Sequence, residues 1–175
     1  WNDPGMDIAM DQTLSDGVEV SVPLGANSPH NYVVGTDGAF FCRARFSIAD
    51  VSGLGDMAVG FRKREAFQAN IDDYDEMACL NAQAGAVEIH TILNNAATVE
   101  TDTTNTWADA ATHTMAVFVS AAGVVTYQYD DAAPTTVAAY TFDNAENVIP
   151  FIHAVQAADL SGAVVVLEWE CGLQA

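Results

Sequence analysis

The sequence predicts an all-β fold: a two-sheet antiparallel sandwich of about a dozen strands in one domain of 175 residues. Three observations carry that expectation. Short runs rich in Val, Thr, Phe, Tyr and Ile recur along the chain, broken by Gly, Asn, Asp or Pro. Several runs alternate apolar and polar side chains with the two-residue period of a half-buried strand. Convincing helical periodicity is scarce, which leaves sheet-on-sheet packing to form the core.

Taken in order, the expected strands are Val18–Val22, Tyr32–Val34, Ala39–Ile48, Met57–Arg64, Glu76–Asn81 and Val87–Leu93. Thr98–Thr101, His113–Ser120, Val124–Tyr129, Val137–Phe142, Ile149–Gln156 and Ala163–Cys171 follow. Met6–Leu14 is the single stretch read as a short helix. Residues 1–24 are read as an N-terminal segment, a docking or exchange arm, and 25–175 as the sandwich.

Alternation assigns faces. Cys42, Ala44, Phe46 and Ile48 point one way, and Arg43, Arg45 and Ser47 the other. Near the C-terminus Val165, Leu167, Trp169 and Cys171 form the apolar set, with Glu168 and Glu170 opposite. Pairing of these strands would set Arg43 and Arg45 against Glu168 and Glu170 as a structural ion-pair face. It would also allow a Cys42–Cys171 disulfide, against the alternative of three buried thiols at Cys42, Cys79 and Cys171. The odd number of cysteines and the lack of CxxC spacing give no support for a zinc site.

The clearest local unit is the hairpin His113–Tyr129. Two β-rich runs flank Ala121-Ala122-Gly123, and Gly123 can supply the positive φ that a short loop needs.

Charge restricts function. Against 24 carboxylates stand five cations, Arg43, Arg45, Arg62, Lys63 and Arg64, for a formal net charge of −19. Such a surface opposes nucleic acid and anionic membranes, and its self-repulsion favours a saline or extracellular setting. Half the residues are hydrophobic, so the chain is a folded domain and not an acidic disordered tail. No run reaches the ~20 apolar residues that span a bilayer. The opening Trp1-Asn2-Asp3-Pro4-Gly5 lacks a basic n-region, and a Trp start is read as a trimmed N-terminus.

Trp107, His113-Thr114-Met115-Ala116-Val117 and Gly123-Val124-Val125-Thr126-Tyr127-Gln128-Tyr129-Asp130 together resemble the concanavalin A-like, laminin-G-like jelly-roll family. In that family a Trp- and His-led strand precedes a hairpin whose second strand often ends in Asp-Gly, here Asp130-Asp131. Phe40–Ile48 with Met57–Phe61 resembles the early core strands, and Val148–Gln156 with Val164–Leu173 the closing ones. The likeness covers residues 30–175. Compact versions rich in Ala, Thr and Val that end in a Trp-Glu strand are similar to structural proteins of tailed-phage particles. That second resemblance implies a non-enzymatic capsid decoration or virion surface protein, whose partners are the capsid lattice and copies of itself. The alternative it leaves is a secreted, lectin-like carbohydrate-binding module with a glycan partner, and behind that a glycoside hydrolase.

Each reading has its residues. For assembly, Arg62, Lys63 and Arg64 form the candidate cationic contact, with Met6, Ile8, Met10 and Leu14 as apolar docking residues. Charge reversal at Arg62 and Arg64 is then expected to weaken assembly and spare the monomer. For a cofactor, Asp72, Asp73, Asp75 and Glu76 gather four carboxylates in five residues, a candidate calcium site with oxygen ligands, and Asp130 with Asp131 is a weaker one. For a glycan, Tyr74, Trp107, Tyr127 and Tyr129 are the available aromatics. Retaining glycosidases need two carboxyls ~5–5.5 Å apart, and the strand pairs on offer are Glu168-Trp169-Glu170 and Glu88-Ile89-His90. His30, His90, His113 and His153 are widely spaced and read as hydrogen-bonded or exposed strand residues. No nucleophile elbow, phosphate loop or HExxH is present.

Overall fold

A computed structural model describes residues 5–9, 17–21, 30–157 and 163–174. Its twelve strands are β1 (Met6–Ile8), β2 (Gly17–Ser21), β3 (Tyr32–Val33), β4 (Phe40–Ile48), β5 (Leu54–Lys63) and β6 (Met77–Gln83), then β7 (Ala86–Ile92), β8 (Val99–Thr106), β9 (Thr112–Val119), β10 (Val125–Tyr129), β11 (Asn147–Gln156) and β12 (Val164–Leu173). All pairings are antiparallel. One sheet has the order β1-β12-β4-β9-β10, and the other β2-β11-β5-β6-β7-β8 with β3 beside β11. The described helix is limited to a 3₁₀ turn at Ile71–Asp73, started by Asn70, whose side chain accepts from the Asp72 N–H. No helix is long and apolar enough to cross a membrane among the described residues.

The core lies between the sheets, where the two-residue period delivers one face of each strand. On β4, burial alternates along all nine residues, with Phe40, Cys42, Ala44, Phe46 and Ile48 inside. They meet Met57, Val59 and Phe61 from β5, Leu80 from β6, Ile89 from β7 and Ile152 from β11. Aromatic rings lock the ends: Tyr32 stacks on Phe40 at 4.4 Å and Phe46 on Trp107 at 4.5 Å.

The β9–β10 hairpin closes through Gly123 at φ +85°, where a Cβ would lie 2.5 Å from the Phe142 carbonyl oxygen. Its far end needs no glycine. Asp130 and Asp131 both take left-handed φ (50° and 63°), and Asp130 accepts from the Thr114 N–H at 2.9 Å.

Several expectations are corrected. Met6–Ile8 is a strand and not a helix: it pairs with Val164–Val166 at the edge of the smaller sheet. Within the expected N-terminal segment 1–24, β1 and β2 are edge strands of the smaller and the larger sheet. Val137–Phe142 forms no strand, only a bridge at Thr141, because Tyr140 and Phe142 turn inward and the Tyr140 hydroxyl donates to the Ile92 carbonyl at 2.6 Å. On β12 a bulge between Val166 and Glu168 shifts the phase, so Val164 and Val166 are inside in place of Val165 and Leu167. β8 runs to Thr106, well beyond the expected Thr101.

Candidate functional site

The outward face of the larger sheet bears most of the molecule's unusual chemistry. Register places Glu19, His153, Ala58, Asn81, Glu88 and Asp102 in one row across β2, β11, β5, β6, β7 and β8. The next row is Ser21, Phe151, Gly60, Cys79, His90 and Glu100. An exposed sheet face would leave these groups in water, but the segment between β5 and β6 folds back over it. Ile71 and Tyr74 of that segment pack on Ala58, Met77, Cys79, Ile92 and Phe151 as a second small core.

An ion pair fastens the segment down. Arg62 is 3% exposed and engages Glu19 through both ends of its guanidinium, at 2.9 and 2.6 Å. Its remaining nitrogen donates to the Lys63 and Glu65 carbonyls. The guanidinium carbon sits 4.5 Å from the Tyr74 ring centre, and the Tyr74 hydroxyl donates to Glu19 at 2.5 Å. Burial, then that hydrogen bond, pushes the Tyr74 hydroxyl far above its ordinary value.

Beside this clamp runs an open groove of about 680 Å³. Ser21, Arg64, Glu65, Phe67 and Ile149 line it above Glu19 and Arg62. Phe67 is 55% exposed, and its ring lies 6.3 Å from that of His153. His153 is buried, and burial holds its imidazole below the usual value. The groove thus combines an exposed ring with a cation, a carboxylate and a hydroxyl.

At the opposite edge of the same face, Glu88 and His90 alternate on β7, and Glu100 lies directly across from His90 on β8. Their ligand-capable atoms all fall within 4.8 Å of one another. His90 is 1% exposed, with Nε2 3.1 Å from the Glu88 carboxylate.

The expected site residues disperse. Of the expected partner contacts, Arg62 is buried within the chain and Ile8 belongs to the core. Reversing the charge at Arg62 strikes the fold itself. Met6 is exposed at an edge strand, and Met10 and Leu14 lie outside the described residues. Lys63 leans between Asp75 and Glu146 at 3.6 and 3.7 Å. Arg64 is exposed, with no carboxylate within 4.0 Å among the described residues. Across the smaller sheet, Arg45 stands opposite Glu168 and Arg43 opposite Glu170. Glu168 bridges both arginines at 3.6–3.7 Å and Arg43 also reaches Asp131, while Glu170 has no ion pair among the described residues.

Asp72, Asp73, Asp75 and Glu76, the expected calcium ligands, do not form a cluster of donor atoms within 4.8 Å of one another among the described residues. Asp72 accepts from the Thr98 hydroxyl, Asp75 faces Lys63, and Glu76 is turned inward at 1% exposure. Burial first, then the Glu146 and Asp143 charges, raises the Glu76 carboxyl to about 7. Cys42 and Cys171 are directly opposed on β4 and β12, yet all three cysteines are free thiols. The aromatics available to a sugar by sequence, Tyr74, Trp107, Tyr127 and Tyr129, are all buried, as alternation with Val125 implies for Tyr127 and Tyr129. Phe67 and Glu19 had no sequence signal: one sits in a loop and the other is 43 residues from its partner.

No family model matches the chain, and no curated protein matches its sequence. Solved structures do. An alginate lyase from Pseudomonas aeruginosa aligns over 89% of this chain and 73% of its own, with TM-score 0.61 and 11% identity. The carbohydrate recognition domain of Emp46p, in a potassium-bound form, aligns over 83% and 75%, with TM-score 0.62 and 8% identity. The carbohydrate binding module CBM66 from Bacillus subtilis aligns over 98% and 97%, with TM-score 0.53 and 13% identity. The sandwich is a concanavalin-like jelly roll. At such identities the likeness is one of fold, and function has to be argued from the site.

Proposed function

We propose that this concanavalin-like domain is a non-enzymatic, lectin-like module that acts outside the cell and binds a saccharide in the groove beside β2. The observation that carries the reading is the exposed Phe67 ring standing next to Arg64, Glu65 and Ser21 in a groove of about 680 Å³. A pyranose presents an apolar face of C–H groups and a rim of hydroxyls. A ring face with charged and hydroxyl neighbours matches both. Carbohydrate-binding domains among the structures of like fold are consistent with this use.

Binding without catalysis is favoured by how the groove's ionisable groups are spent. Glu19, Arg62 and Tyr74 satisfy one another, and Tyr74 is far from ready to give up its proton. Attachment to a capsid lattice, the first expectation from sequence, has no comparable feature behind it among the described residues, where Arg62 and Ile8 are buried within the chain.

The test is a glycan array, followed by titration of the best saccharide into wild type and Phe67→Ala. Binding that falls at least about tenfold in a variant with unchanged melting supports the reading. Equal affinity in Phe67→Ala, or silence across the array, sinks it. Formation of an unsaturated end group on a uronate polymer would instead make the protein a lyase.

A further inference from the structure

We propose that Glu88, His90 and Glu100 form a binding site for one divalent transition-metal ion, of the zinc or manganese class, at the β7–β8 edge of the larger sheet. The antiparallel register builds it. Glu88 and His90 are two residues apart on β7 and so share the outward face, while His90 and Glu100 are direct cross-strand partners. The three donor atoms lie within 4.8 Å of one another, which a central ion at ordinary bond lengths of ~2.0–2.2 Å spans with small side-chain adjustments.

The imidazole is the decisive group. His90 is 1% exposed, and its polar contact is with Glu88, itself a ligand of the proposed site. Its Nδ1 has no hydrogen-bond partner. Nε2 is the nitrogen that faces Glu88, and coordination through it draws the two carboxylates to the ion. Two carboxylates and a neutral imidazole match the charge of a divalent cation. One nitrogen and two carboxylate ligands suit zinc or manganese better than calcium, which prefers an all-oxygen shell. Glu88 is partly exposed and Glu100 exposed, so the remaining positions open to water.

Such an ion would fasten β8 to the sheet. β8 is an edge strand held on one side alone, and its outward groups Glu100 and Asp102 repel Glu88 in the absence of a cation. The site is independent of the saccharide groove, which lies at the other edge of the face.

The experiment uses the full chain, dialysed against chelator and titrated with zinc, manganese and calcium chlorides. Calorimetry and the His90 imidazole NMR signals are read together. One equivalent of zinc is expected to shift the His90 signals and raise the melting midpoint. Glu100→Gln, an exposed change that preserves the apo fold, should weaken zinc at least about tenfold and abolish the rise. Glu88→Gln should do the same, and calcium should bind more weakly than zinc. Zinc affinity unchanged in both variants overturns the proposal. So do His90 signals that stay in place at one equivalent, or calcium binding as tightly as zinc.

Discussion

Glu76 shows what one buried carboxyl does to the pH response. It sits inside the sandwich end with Glu146 and Asp143 near it, and its carboxyl is raised from 4.5 to about 7. A raised acid binds more protons folded than unfolded, so its stabilisation is complete below the ordinary value near 4.5. It is lost as pH climbs to about 7, at up to ~1.4 kcal/mol per pH unit. Glu76→Gln is therefore expected to raise the urea midpoint at pH 7.5 and leave it nearly unchanged at pH 4.5. An equal effect at both pH values contradicts the assignment. Gly123 gives a second residue-scale outcome. Alanine there would hold a Cβ at φ +85° and 2.5 Å from a backbone oxygen, so Gly123→Ala should cost at least ~1–2 kcal/mol. Chemical denaturation measures it, and a neutral result would mean the hairpin adopts another turn.

At the scale of elements, the β5–β6 segment is the part to break. Glu19 and Arg62 tie β2 to β5 beneath it, and Tyr74 ties its far end to the same carboxylate. Removing Glu19 leaves a buried guanidinium uncompensated, so Glu19→Ala should destabilise by about 3–5 kcal/mol. Tyr74→Phe keeps the ring over Arg62 and loses one hydrogen bond, a change of about 1–2 kcal/mol. Equal losses for the two variants in denaturant melts would show that the clamp is not organised around Glu19. Legibility in sequence follows the same elements. β4 is legible because alternation records the side that faces the core, and the β9–β10 hairpin because two β-rich runs flank the turn at Gly123. β8 is legible only in part because Thr, Asp and Asn fill an exposed edge strand, where no apolar period marks the pairing. The β12 phase is hidden in the sequence because a bulge leaves no compositional mark. The clamp was invisible because it joins residues far apart in the chain, and Phe67 because loop positions have no period.

For the whole molecule, the five cations of the sequence have taken distinct parts. Four are engaged with carboxylates of the chain, one of them fully buried, and Arg64 is left at the groove. The other 24 charges are acidic, and their mutual repulsion weakens as salt shortens the Debye length from ~10 Å at 0.1 M to ~3 Å at 1 M. The melting midpoint should therefore rise between dilute buffer and 1 M sodium chloride; a flat or falling midpoint would show that the surface charge is not what limits stability. The proposed function stands on saccharide binding in the groove beside β2. Backbone amide NMR with the saccharide selected on the array tests it most directly. The largest shifts are expected at Ser21, Arg64, Glu65 and Phe67, fading away from that edge. Shifts centred on the half-buried Phe41–Phe118 pair of the smaller sheet, with the groove silent, would contradict it.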